Sequence, residues 1–156
     1  MSMVTEYGLA GVAEVVARLR RVLALRAMVA AGATQRQVAE AVGITQPAVS
    51  QQLKAAVADV IDPVRLVEAG GPILRRAAEE RGFTDLAVFG SVARGEARSD
   101  SDIDLLVRPP DGTTIAGLLA LQRLFEAILG HPVDLMTYGG LKPGLDDDVR
   151  REAVLL

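Results

Sequence analysis

Apolar residues recur at helical spacing from about Gly11 to Ala31, with Val15, Leu19, Val22, Leu23 and Val29 on one side and Arg18, Arg21 and Arg26 mostly off it, so the pattern predicts a first helix. Gly32 ends it. Thr34 then offers a capping hydroxyl to a short second helix, QRQVAEAV, which stops at Gly43. Thr45 caps a third helix, QPAVSQQLKAAVADV, with Pro47 in the first turn, where its missing N–H costs nothing.

Beyond it, IDPVRLVEAGG reads as a Pro-containing join and a helical stretch interrupted by Gly70 and Gly71. This is the predicted boundary zone between two units, residues 1–62 and 63–156. In the second unit PILRRAAEERG predicts a helix, TDLAVFG and DIDLLVRP two strands, TIAGLLALQRLFEAILG a long amphipathic helix and HPVDLMTY a third strand. The final LDDDVRREAVLL predicts a closing helix, acidic in its first turn and with Arg150 and Arg151 further on, as the helix dipole favours. The predicted class is α+β, with an all-helical first unit.

Composition narrows the chemistry more than the fold. No cysteine and a single histidine exclude disulfides and thiolate sites and disfavour zinc, so any metal must sit on oxygen ligands. Apolar residues make up 50% of the chain, enough for a packed core, but their runs fall short of the roughly 20 residues of a spanning helix. The N-terminus is acidic early and arginine-rich late, the reverse of a secretion signal, which predicts a cytosolic protein away from membranes. The formal net charge is −3, and neither unit is basic enough for charge alone to argue nucleic-acid binding.

Candidate chemistry is concentrated in FGSVARGEARSDSDIDLLV. Alternation along a strand puts Asp102 and Asp104 side by side while Ile103, Leu105 and Val107 face the core. Two close carboxylates repel unless a cation lies between them, and Mg²⁺ suits such a pair. Asp134, between Val133 and Leu135 on another strand, offers a third ligand. Gly90 and Ser91 end a strand and enter a turn, where backbone N–H groups and a hydroxyl can hold a nucleotide's terminal phosphates. Neither a Walker loop nor a Gly-x-Gly-x-x-Gly element is present. Arg94 and Arg98 fit either a phosphate contact or an exposed loop charge, Asp100 is read as solvated and His131 as a loop residue. An isolated Asp-x-Asp is most often a solvated edge strand, but here each acid is flanked by residues that bury the strand's other face.

GSVARGEARSDSDIDLLV resembles the signature of the minimal nucleotidyltransferases of the polymerase-beta-like superfamily, in which a Gly-Ser is followed after ten residues by Asp-x-Asp. Gly90, Ser91, Arg94, Gly95, Ser101, Asp102 and Asp104 fall on matching positions, and Asp134 matches that family's third acid. The resemblance spans about residues 72–154. It implies a small α/β domain with a mixed sheet, Mg²⁺ on Asp102, Asp104 and Asp134, and ATP as substrate with Gly90, Ser91 and Arg94 at its phosphates. It also implies an antitoxin that transfers AMP to a partner toxin. Only 22 residues follow Asp134, too few for a deep acceptor pocket, so the expected acceptor is a macromolecule docking along Leu141–Leu156 or the helix Ile115–Leu129.

TQRQVAEAVGITQPAVSQQLKAA has a helix-turn-helix arrangement, with small Ala39 at the crossing, Gly43 in the turn and Val38, Ile44, Val49 and Leu53 expected inside. It is similar to the recognition motifs of bacterial repressors. That similarity implies that Gln46, Ser50, Gln51 and Lys54 face operator DNA, in a homodimer that the long first helix could provide, for autoregulation of the chain's own operon. A helical hairpin that only dimerises or supports the catalytic half is the plainer reading. For the whole chain a regulator with an inactive or nucleotide-sensing transferase half, an enzyme acting on a small molecule, and an antitoxin acting by contact alone stay open.

Overall fold

The computed structural model describes residues 1–58 and 62–156. Four helices come first: α1 (Met3–Ala30), α2 (Gln35–Val42), α3 (Gln46–Ala58) and α4 (Pro63–Glu79). β1 (Thr84–Phe89), the short α5 (Gly90–Ala93), β2 (Ile103–Arg108), α6 (Ile115–Leu129) and β3 (Val133–Thr137) follow. A 3₁₀ turn at Tyr138–Gly140, α7 (Asp147–Glu152) and β4 (Val154–Leu155) complete the chain. Asp59 and Val60, the predicted end of the third helix, and Ile61 of the join lie outside the described residues.

α1 starts earlier than the apolar pattern predicts, because Ser2 caps it: the Thr5 N–H donates to Ser2 Oγ at 3.2 Å. Residues 1–15 are all exposed. Further along, α1 serves two cores. Val16 and Leu23 join the main core with Leu66 and Leu74 of α4 and Phe125 and Leu129 of α6, while Leu25 packs with Val38, Ala39 and Val49. No single stripe can describe a helix covered on two sides by different partners. Val15 and Val29, expected inside, are therefore exposed, while Val16 and Leu25 are buried.

The sequence's punctuation of the next two helices holds. Thr34 and Gln37 form a reciprocal capping box, and Gly43 ends α2 in the left-handed region at φ 76°. The Ala48 N–H donates to Thr45 Oγ1 at the start of α3. Ile44, expected inside, is 36% exposed.

Gly70 and Gly71 do not interrupt α4, which runs unbroken through both and through Pro72. A Cβ on Gly70 would lie 3.0 Å from Leu129 Cδ2 and 3.2 Å from Leu23 Cδ1, so this glycine lets three helices approach closely. Pro72 has no N–H for the carbonyl of Glu68, one turn earlier. Arg20 of α1 replaces it, donating from Nη2 to the Glu68 carbonyl at 3.1 Å and from Nε to that of Ala69 at 2.9 Å.

The sheet is mixed, in the order β3-β2-β1-β4, with β2 parallel to β3 and β1 antiparallel to both β2 and β4. One face carries Leu86, Val88, Ile103, Leu105, Val107, Val133 and Leu135 against the helices of the main core. On the other, Ala87, Phe89 and Leu106 pack with Leu141, and with Met136, Tyr138, Val149 and Ala153 at the margin. The predicted closing helix is only α7. Its last residues turn into β4, where Val154 and Leu155 pair with Val88 and Ala87 and satisfy the outer edge of β1. Among the described residues no helix is long and apolar enough to cross a membrane.

Candidate active site

Ile103, Leu105 and Val107 are fully buried beneath the helices, so strand alternation turns Asp104 to the opposite face of the sheet. The parallel register of β2 and β3 sets Asp134 directly beside it, one strand spacing of about 4.8 Å away. Asp102 lies just ahead of β2, near enough for its charge to act on Asp104. Burial pushes the Asp104 carboxyl above the ordinary carboxylate range, and the neighbouring charges of Asp134, Asp102 and, last, Glu152 push the same way, against Arg94. The structure thus brings the three predicted acids together. α6 lies on the far face of the sheet from them, so of the two expected docking surfaces only Leu141–Leu156 borders their side.

His131 sits in a loop as expected, with work that the sequence did not reveal. Its Nε2 lies 2.6 Å from the Ser101 carbonyl, which can only accept, so the proton is on Nε2. Together with the Ile103 N–H bonded to the Pro132 carbonyl, this pins the stretch carrying Asp102 to the start of β3.

β1 delivers the Gly-Ser turn to the same place, because Phe89 is the register partner of Asp104. Gly90 is required twice over. Its φ is +69°, and a Cβ there would fall 2.3 Å from Asp104 Oδ2. Its N–H is not directed at a free phosphate site; it donates to Glu152 Oε1 at 3.2 Å. Arg94 follows the four-residue α5, donating from Nη1 to Glu152 Oε2 at 2.9 Å and from Nε to Glu96 Oε2 at 3.1 Å. Ser91 is half-buried in the first turn of α5. Arg98 is exposed in a loop beside Asp100. Glu152 escaped the sequence reading because VRREAVLL gives it the look of a solvated helix residue. Only the pairing of β4 with β1 carries it to the turn.

Three carboxylates, one of them half-buried and pushed towards protonation by burial and then by its acidic neighbours, make an oxygen donor set suited to a hard divalent cation. Among the described residues no three acidic side chains converge tightly enough to cage an ion by themselves. That is compatible with Mg²⁺, which takes one or two protein carboxylates and completes its shell with water and substrate phosphates.

A family model for the nucleotidyltransferase domain matches residues 73–156, more than half of the chain. The chain belongs to the nucleotidyltransferase family. It is 41% identical over 76 residues to protein adenylyltransferase MntA of Thermococcus cleftensis, covering 49% of this chain and 77% of that protein. A provisionally named protein adenylyltransferase of Methanocaldococcus jannaschii is 39% identical over 75 residues, covering 48% of this chain and 81% of its own. Among solved structures, one provisionally described as a minimal nucleotidyltransferase is 40% identical with a TM-score of 0.56, over 62% of this chain and 97% of that one. The sheet, the Gly-Ser turn and all three carboxylates of this nucleotidyltransferase fall inside the matched segment.

Residues 1–72 of the nucleotidyltransferase lie outside that segment. Within them Gln46, Ser50, Gln51 and Lys54 gather on one side of α3, where with Pro47 and Ala55 they line a shallow depression of about 660 Å³. Gln51 and Lys54 are exposed, Ser50 is half-buried, and Gln46 donates through Nε2 to Gln35 Oε1 at 2.9 Å.

Proposed function

We propose that the protein transfers AMP from ATP to a hydroxyl side chain of a partner protein, the toxin of a toxin–antitoxin pair. What carries this reading is the register pairing of Asp104 with Asp134, two residues beyond Asp102 and in contact with the Gly-Ser turn. The acceptor oxygen attacks the α-phosphorus, the bond from that phosphorus to the bridging oxygen breaks, and pyrophosphate leaves. Mg²⁺ held by one or two of the carboxylates of Asp102, Asp104 and Asp134, with substrate phosphates completing its shell, would neutralise phosphate charge and lower the pKa of the acceptor hydroxyl. Asp134, exposed at the edge of the trio, would take the hydroxyl proton. Ser91 and Arg94 bind the β- and γ-phosphates, while Gly90 supplies the space that brings Asp104 and the turn together. The relatives' description as protein adenylyltransferases supports a protein acceptor.

The first three helices would read operator DNA through Gln46, Ser50, Gln51 and Lys54, giving autoregulation. Support for a paired state comes from the fully exposed first half of α1, with Met3, Val4, Tyr7 and Val15 all turned to solvent. The deciding experiment incubates the protein with labelled ATP, Mg²⁺ and its co-encoded neighbour, then locates the label by mass spectrometry. AMP on a side chain of the neighbour, lost in Asp102→Asn, is expected. Label confined to small molecules, or absent, overturns the reading.

A further inference from the structure

Glu152 has no part in that mechanism, yet both of its carboxylate oxygens are engaged at the nucleotide turn. Oε1 accepts the Gly90 N–H at 3.2 Å and Oε2 accepts Arg94 Nη1 at 2.9 Å. The side chain is only 26% exposed, against 47% for Arg94. Its backbone is held as well, since β4 begins two residues later on the edge of β1 and the Leu156 N–H donates to the Leu86 carbonyl at 2.9 Å. The end of the chain thus forms a strut between the sheet edge and the turn.

Its consequence lies with Arg94. That guanidinium is shared by two carboxylates, Glu96 and Glu152, and its charge already reaches Asp104. Without Glu152, Arg94 keeps only its Nε bond to the exposed Glu96, and the freed end of the guanidinium is left to the attraction of the carboxylate trio. An arginine folded over Asp104 would fill the place of the substrate's phosphates, and the turn bearing Ser91 would lose its tie to the sheet edge.

We propose that Glu152 is a positioning residue for nucleotidyl transfer, holding Arg94 clear of Asp104 and fixing the Gly90–Ser91 turn so that the triphosphate meets both in one fixed arrangement. The proposal rests on the nucleotidyl-transfer reading above. Its test compares wild type, Glu152→Gln, Arg94→Gln and the double variant by kcat and KM for ATP, thermal midpoint and amide exchange at Gly90. Glutamine keeps the shape and one acceptor oxygen but loses the charge that holds Arg94.

Glu152→Gln is expected to lower kcat/KM by about 10- to 100-fold, the scale of a small misplacement of reacting groups, while the thermal midpoint stays within roughly 3 °C. Gly90 exchange should quicken. The loss should disappear when Arg94 is already glutamine, because the two residues act as a unit. A merely structural role would cost the same in both backgrounds and would show in the thermal midpoint. Equal activity of Glu152→Gln and wild type, or an undiminished loss in the Arg94→Gln background, overturns this proposal alone. A wild-type chain that transfers no AMP overturns it together with the transfer reading.

Discussion

Gly90 and Asp104 are in direct contact, and the hydrogen in place of a Cβ is what permits it: a methyl group on residue 90 would stand 2.3 Å from Asp104 Oδ2. The contact joins the Gly-Ser turn to the carboxylates with no intervening side chain. Gly90→Ala is expected to cost about 1–2 kcal/mol for the left-handed backbone alone, and to displace Asp104 as well. Thermal denaturation should show a modest loss of stability, and an AMP-transfer assay a much larger loss of rate.

Asp104→Asn separates stability from chemistry. An amide is a poor ligand for a hard cation, and losing several kcal/mol of charge stabilisation lowers transfer by about 100-fold or more. Stability should move the other way. Burial and neighbouring carboxylates raise the folded-state pKa of Asp104, so the folded protein holds that proton more tightly than the unfolded chain does. Ionisation therefore costs stability progressively as pH rises from the unfolded carboxylate value, about 3.9, through the raised folded value. In metal-free buffer Asp104→Asn should melt above wild type at pH 7.5, with the advantage shrinking to nothing below about pH 4. An advantage independent of pH would show that the cause is not the charge.

Arg20 and Pro72 form a testable pair. Arg20→Ala removes both donors to the Glu68 and Ala69 carbonyls and should cost about 1–3 kcal/mol in chemical denaturation. With Pro72→Ala restoring an N–H to the helix, the same substitution should cost measurably less.

Leu23 is fully buried where α1 meets the main core. Leu23→Ala is expected to destabilise the fold by about 2–5 kcal/mol, with urea unfolding as the measure. Transfer activity should fall with it if α1 and the matched segment unfold as one cooperative unit.

The DNA reading predicts that Gln46→Ala and Gln51→Ala each weaken operator binding by about 1–3 kcal/mol at particular base pairs. Lys54→Ala should weaken binding on all sequences alike and flatten its salt dependence. A promoter library bound without preference at low salt would assign α3 a support or pairing role.

Local chemistry made much of this protein legible before any fold was known. Thr34, Gly43 and Thr45 mark helix ends because capping involves only neighbours in sequence. The alternation in DIDLLV fixes which face of β2 carries Asp104 because strand geometry has a period of two. Other features depend on distant partners and could not be read locally. Gly70 and Gly71 suggest a break until Leu23 and Leu129 close over Gly70 and Arg20 takes the carbonyl that Pro72, read as a helix start, leaves without a donor. Val15 falls on the expected apolar side of α1, yet burial there is decided by α4 and α6, which do not reach it. The sequence alone determined the acids, the turn and their order along the chain. Tertiary structure decided that Asp104 and Asp134 share a register, that Gly90 touches one of them, and that Glu152 arrives from the far end of the chain, because strand pairing sets neighbours across any distance in sequence.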